Sequence, residues 1–127
     1  MNFSTEVLNR ERARNILTLC QHEEFVDFCA LFESEFDRNL TELYRALEAE
    51  DGPRRRFLAH KMKSSAANLG AVRLSDQVRL FDVLEWPKSR TQSLALWQNL
   101  RNEYEQVRHH LKDFLTESKL LKTGAPC

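Results

Sequence analysis

Residues 59–70 read AHKMKSSAANLG, and their spacing is the clearest indication of how this chain folds. Successive residues of a helix project about 100° apart around the helix axis. On such a wheel Leu58, Met62 and Leu69 share one side, and His60 projects from the opposite side. The pattern therefore predicts a helix that buries its large apolar side chains and leaves the imidazole of His60 outside.

The residues that share the face of His60 are basic or small. Arg56 precedes His60 by four positions, and Lys63, Ser64 and Ala67 follow it by three, four and seven. We expect no bulky side chain directly over the ring, so Arg56, Ser64 and Ala67 are predicted to face a partner that comes close. The two cations indicate that the partner, or the group it delivers, is anionic. The alternative is an ordinary surface histidine on a packing helix rich in Ala and Ser.

The composition bounds the class of protein. With 127 residues, three glycines and three prolines, the chain fits one all-helical domain. Its 19 basic and 19 acidic residues balance, which argues against bulk attraction to nucleic acid or to a membrane surface. No apolar run approaches the roughly 20 residues of a membrane span, and no signal-peptide core is present, so a cytoplasmic location is predicted.

Three cysteines occur in the chain, and none has CxxC spacing, which disfavours both a disulfide framework and a zinc site. Cys20 and Cys29 sit among apolar residues and are predicted to be small core fillers. No role can be assigned to Cys127.

Apolar residues at steps of three and four predict five helices. They cover about 9–20, 23–49, 53–69, 72–84 and 90–121, the last capped by Ser89 or Thr91. The apolar stripe of the second helix includes Phe25, Phe28 and Phe32. The breaks fall at Asp51-Gly52-Pro53, at Gly70 and at Trp86-Pro87.

The connections determine the architecture. Gly70 is the expected residue for a left-handed position at a helix C-terminus. Short connections between amphipathic helices imply antiparallel neighbours. We therefore predict an all-α fold: an antiparallel up-down four-helix bundle with an additional short N-terminal helix. Residues 9–121 form the bundle, and residues 1–8 and 122–127 are predicted to be flexible.

Asp82 can be brought alongside His60 in this arrangement. His60 lies ten residues before Gly70, and Asp82 lies twelve residues after it on the returning helix. A carboxylate there could accept the Nδ1 proton of His60 and leave Nε2 unprotonated and pointing outward. Alternatively, Asp82 is a solvated helix residue that pairs with Arg79 or Lys63.

The string from His60 to Ala71 resembles the signature of histidine phosphotransfer (HPt) domains. These are the four-helix-bundle carriers of multistep phosphorelays. The likeness covers essentially the whole chain, and some free-standing carriers of quorum-sensing relays also read Lys-Ser-Ser-Ala-Ala at this place. Two positions depart from the family pattern: Ser64 replaces the usual glycine, and Asp82 replaces the more usual Gln or Glu.

The resemblance implies roles for the site residues. His60 would take a phosphoryl group on Nε2 from the aspartyl phosphate of a receiver domain and pass it to a second receiver. Lys63 would neutralise the phosphoryl oxygens, and Asp82 would orient the ring. The partners would be the receiver domains of a hybrid sensor kinase and of a response regulator. The receiver would supply the magnesium ion, so no cofactor is expected on this chain, and a monomer is the default.

Other features of the sequence give weaker support to other functions. The chain has no Gly-rich phosphate loop, so it is not predicted to be a kinase. His109 and His110 are adjacent and cannot chelate one ion as residues four apart would. The run Arg54-Arg55-Arg56 is predicted to be a solvated, partner-facing edge rather than a nucleic-acid site. The remaining alternatives are a degenerate bundle that binds receivers without carrying phosphate, and an unrelated helical adaptor in which His60 is incidental.

Overall fold

The computed structural model describes residues 6–19, 22–83 and 89–124. Five helices occupy these ranges, and no strand occurs in them. They are α1 (Arg10–Leu19), α2 (His22–Glu48), α3 (Gly52–Leu69), α4 (Val72–Arg79) and α5 (Arg90–Gly124). No helix in the described part of the chain is long and apolar enough to cross a membrane. The all-α fold predicted from the sequence is confirmed.

Four helices enclose the core. α3 packs against α2 and α4, and α5 packs against the same two helices from the other side, so α3 and α5 lie diagonally across the bundle. The indole N–H of Trp97 donates to the Leu40 carbonyl at 2.9 Å, and the Tyr104 hydroxyl donates to the Glu33 carbonyl at 3.0 Å. These bonds fix α2 and α5 as antiparallel neighbours. The largest fully buried side chains include Phe25, Phe36, Leu43, Leu58, Met62, Phe81 and Tyr104.

The short α1 covers one end of the bundle. The Asn9 amide donates to the Gly70 carbonyl at 2.9 Å, and the Arg12 Nε donates to the Asn68 carbonyl at 3.0 Å. Val7 and Leu8 are buried, at 7% and 4% exposure. Residues 7 and 8 thus contribute apolar side chains to the core, and the flexibility of residues 1–8 stays a prediction. Residues 1–5 lie outside the described ranges.

Local capping signals place the ends of α3 where the sequence predicted them. The Asp51 carboxylate accepts the Arg54 amide at 3.0 Å, which satisfies a free N–H of the first turn. Gly70 has φ 94° and closes the helix, since its amide and that of Ala71 bond back to Ala67 and Ala66. Ser89 and Gln92 cap α5 reciprocally, each side chain accepting the other's amide at 3.1 Å.

Gly70 should tolerate no side chain. A Cβ there would meet Arg12 Cβ and the Asn9 carbonyl oxygen at 3.3 Å, and a left-handed conformation costs other residues about 1–2 kcal/mol. We expect Gly70→Ala to lower the free energy of unfolding by at least about 1–2 kcal/mol in urea titrations. Gly52→Ala is the matched control and should be close to neutral, because the added Cβ would meet the flexible end of the Arg56 side chain at 3.2 Å and would lie 3.9 Å from Arg55, an ordinary contact distance. Equal losses of unfolding free energy in the two variants would contradict a special requirement for glycine at position 70.

Two helix boundaries differ from the prediction. α4 ends at Arg79 rather than near Leu84, because the amides of Leu80, Phe81 and Asp82 bond to carbonyls three residues back, which tightens the chain into turns. Phe81 is still fully buried, as the stripe predicted. α5 continues to Gly124, beyond the predicted end at 121.

Two side-chain predictions for α2 have different outcomes. Phe28 is 38% exposed, because the buried line of α2 runs through Phe25, Cys29, Phe32 and Phe36 and leaves Phe28 on its flank, with its ring 6.3 Å from that of Phe25. Cys29 is buried, which confirms its role as a core filler. Cys20, Trp86-Pro87 and Cys127 fall outside the described residues.

Candidate functional site

His60 projects from the solvent side of α3. The opposite side of the helix is a continuous buried line: Leu58, Met62 and Leu69 are at most 1% exposed. Ala59 and Ala66 are also buried, so the line recurs at steps of three and four along the helix. His60 itself is exposed. The helical wheel drawn from the sequence is therefore correct.

The structure brings the predicted face together around His60. Ser64 and Ala67 are exposed, and Arg56 and Lys63 are half-buried. The Ser75 hydroxyl of α4 donates to the Lys63 carbonyl at 3.1 Å, which ties this turn of α3 to its neighbour. The imidazole of His60 is therefore accessible, and cations and small side chains surround it. The helix that carries it is held by its buried inner face and by the bond to Ser75. Such an arrangement suits a nucleophile that must meet a phosphoryl group delivered by another protein.

Phe57 was not among the predicted site residues. This residue lies three positions before His60 and is 57% exposed. The guanidinium of Arg54 lies over its ring, 5.6 Å from the centroid, and Arg54 also approaches Glu42 of α2 at 3.8 Å. The face of His60 is therefore bordered on one side by a bulky apolar ring, which the predicted set of basic and small residues did not include. The signal was present, since three positions on a helix place Phe57 beside His60.

The contacts between α3 and α4 determine where Asp82 lies. Ser75 is bonded to Lys63, and Arg55 Nη1 donates to the carbonyls of Phe81 at 2.6 Å and Val83 at 3.3 Å. The helices are thus antiparallel, with Asp82 level with the first turns of α3. Asp82 is half-buried and stands about one turn before the level of His60. The Asp82 carboxylate and the His60 ring, both within the described residues, form no hydrogen bond with each other, so the proposed orientation of the ring stays a prediction.

The position of Arg55 shows that the prediction for the run Arg54-Arg55-Arg56 was wrong in part. The sequence predicted a solvated edge, but Arg55 is 3% exposed, whereas Arg54 is exposed and Arg56 is half-buried. Burial lowers the pKa of Arg55, the positive charge of Arg56 lowers it further, and the negative charge of Asp82 opposes both. Arg55 therefore belongs to the packing between α3 and the end of α4 rather than to the partner-facing surface.

Metal-binding side chains are dispersed in the structure. Over the described ranges, no three His, Cys, Asp or Glu side chains come close enough together to hold a metal ion. His109 instead lies 3.5 Å from Asp113, one turn further along α5, on an exposed surface. That no cofactor binds this chain stays an expectation.

Comparison with protein families gives a match to the Hpt domain over residues 27–118. The chain belongs to the Hpt family. It is thus a histidine phosphotransfer carrier of the kind that works with receiver domains in phosphorelays. The fold is similar to that of histidine-containing phosphotransfer protein B of Pseudomonas aeruginosa, with a TM-score of 0.75 and 22% identity over 90% of this chain and 98% of that one. A search of curated proteins found no match.

Proposed function

We propose that His60 is the residue that carries the phosphoryl group of this Hpt domain. It accepts the group on Nε2 from the aspartyl phosphate of one receiver domain and passes it to the receiver of a response regulator. The Nε2 lone pair forms the N–P bond, the aspartate oxygen leaves with the electrons of the P–O bond, and the ring keeps its proton on Nδ1. The observation that carries this proposal is an exposed histidine on the outer face of a helix whose inner face is wholly buried.

The surroundings of His60 support phosphoryl transfer between proteins. Phosphoryl transfer requires positioning and charge neutralisation more than covalent chemistry from the carrier. Lys63 and Arg56 supply positive charge, and Ser64 and Ala67 leave room for the active-site loops of a receiver. Phe57 adds an exposed apolar surface that a partner can bury. The receiver would be that of a hybrid sensor kinase upstream, and it would provide the magnesium ion.

The experiment that tests the proposal uses a receiver domain loaded with labelled phosphate. The purified chain is mixed with this phospho-receiver, and the label on the chain is then exposed to acid and to base. We expect label that is labile in acid and stable in base, as a phosphorus–nitrogen bond requires. Label that survives acid would place the phosphate on another kind of residue. Receiver binding without any transfer of label would instead favour the alternative, a degenerate adaptor.

Removing the charge of Lys63 should slow transfer without affecting the fold. A hydrogen bond to a charged group contributes about 1.5–3 kcal/mol, so Lys63→Ala should slow transfer from the phospho-receiver by roughly tenfold or more. Helix content by circular dichroism should be unchanged. Lys61→Ala is the matched control, because Lys61 is an exposed lysine of the same helix that lies about 100° from His60. Equal rates for the two variants would mean that Lys63 does not contact the phosphoryl group.

A further inference from the structure

A buried guanidinium lies on the inner side of the first turns of α3. The mechanism proposed above assigns it no role. Arg55 is 3% exposed, and it precedes His60 by five positions on the same helix. A buried charge is expensive unless hydrogen bonds and opposite charge compensate it. The groups that bind the buried charge of Arg55 therefore identify the segment that this side chain holds in place.

The guanidinium of Arg55 binds the backbone on both sides of Asp82. Its Nη1 donates to the carbonyl of Phe81 at 2.6 Å and to that of Val83 at 3.3 Å, the residues on either side of Asp82. The negative charge of Asp82 is also the one that favours the charged form of Arg55. Both bonds come from the same nitrogen, whose two N–H groups can each serve one carbonyl. Arg55 thus fixes the backbone of residues 81–83 against α3 and places a positive charge beside the Asp82 carboxylate.

This arrangement lies next to the face that carries His60. Side chains on a helix lean toward its N-terminus, so the His60 ring leans over the turn that contains Arg56, and Asp82 is level with that turn. A phosphoryl group on Nε2 would bring about two negative charges to this place. The Asp82 carboxylate, level with the turn over which the ring leans, would repel this charge if no cation balanced it.

We propose that Arg55 is a positioning residue for phosphotransfer at His60, a role that rests on the function proposed above. Arg55 fixes Asp82 beside α3 and balances the charge of its carboxylate, so that Asp82 does not repel the phosphoryl group. Arg55 does not touch the phosphoryl group itself, since it is buried on the inner side of the helix. Its influence on the reaction passes through Asp82.

The test is a double-mutant cycle on Arg55 and Asp82, with transfer measured from a receiver domain phosphorylated by acetyl phosphate. Arg55→Gln keeps an amide donor and removes the charge, and we expect it to slow transfer by about tenfold. In the Asp82→Asn background the same substitution should change the rate by less than about twofold, because no carboxylate is left to balance. Arg55→Lys keeps the charge and should transfer within about twofold of the wild type. Circular dichroism checks that each variant folds.

Equal slowing by Arg55→Gln in both backgrounds would overturn the proposal, since Arg55 would then act through packing alone. A wild-type rate in Arg55→Gln would also overturn it. If Arg55→Gln does not fold, Arg55→Lys decides: a tenfold loss in that folded variant means that charge is not what Arg55 provides, and near wild-type transfer supports the proposal. Failure of the carrier function itself is recognised separately, because the wild-type chain would then accept no label, or would accept label that persists in His60→Gln.

Discussion

Replacing His60 with glutamine is expected to abolish transfer of phosphate from a phospho-receiver to this chain. Glutamine keeps a polar side chain of similar size but has no ring nitrogen to form an N–P bond. Because His60 is exposed and the opposite face of α3 carries the packing, the free energy of unfolding should change by no more than about 0.5 kcal/mol. The measurement is label on the chain after incubation with the phospho-receiver, together with circular dichroism and urea titration.

The two histidines of α5 provide the controls for this result. His109 is exposed, with a side chain 73% accessible, and His110 is half-buried beside it on α5. His109→Gln and His110→Gln should each accept label at the rate of the wild type, because α5 lies diagonally across the bundle from α3. Label that persists in His60→Gln and disappears in either α5 variant would move the phosphate to α5 and overturn the assignment.

The parts of the fold that the sequence predicted are those with local causes. The buried face of α3 follows from the spacing of Leu58, Met62 and Leu69, because the period of a helix allows no other common face. Asp51 and Gly70 end the helix for reasons of hydrogen bonding and backbone conformation that belong to those residues themselves. The exposure of His60 follows from the same spacing, so the centre of the candidate site was also predictable.

The parts that the sequence did not predict depend on contacts between distant segments. Arginine is mostly exposed in proteins, and the burial of Arg55 becomes favourable only because the turns that follow α4 present the carbonyls of Phe81 and Val83 to it. Val7 and Leu8 lack any helical repeat, and their burial comes from the end of the bundle that they cover.

Phe57 is a different case from these. Its place beside His60 could be derived from its spacing, but its 57% exposure could not, because an apolar residue is more often buried. Helix periodicity thus places Phe57 at the edge of the site, whereas its apolar side chain alone would assign it to the core.

Ala67 provides the sharpest test of the surface around His60. The residue is exposed and lies seven positions after His60, so both project from the same face of α3. Ala67→Glu introduces a good helix former and should leave the free energy of unfolding within about 0.5 kcal/mol of the wild type. Phosphotransfer should nevertheless collapse, because the longer side chain obstructs the approach of the receiver and its charge repels the acidic phosphorylation pocket there.

Two further variants separate the causes of this loss. Ala67→Gln has the size of glutamate without its charge, so it should retain more transfer than Ala67→Glu if repulsion contributes. Ala95→Glu makes the same change at an exposed position of α5, across the bundle from His60, and should transfer at the wild-type rate. A loss of stability in Ala67→Glu would show that Ala67 packs inside the bundle. Unchanged transfer in that variant would mean that receivers dock elsewhere, and the small side chains beside His60 would then have no part in the approach of a partner.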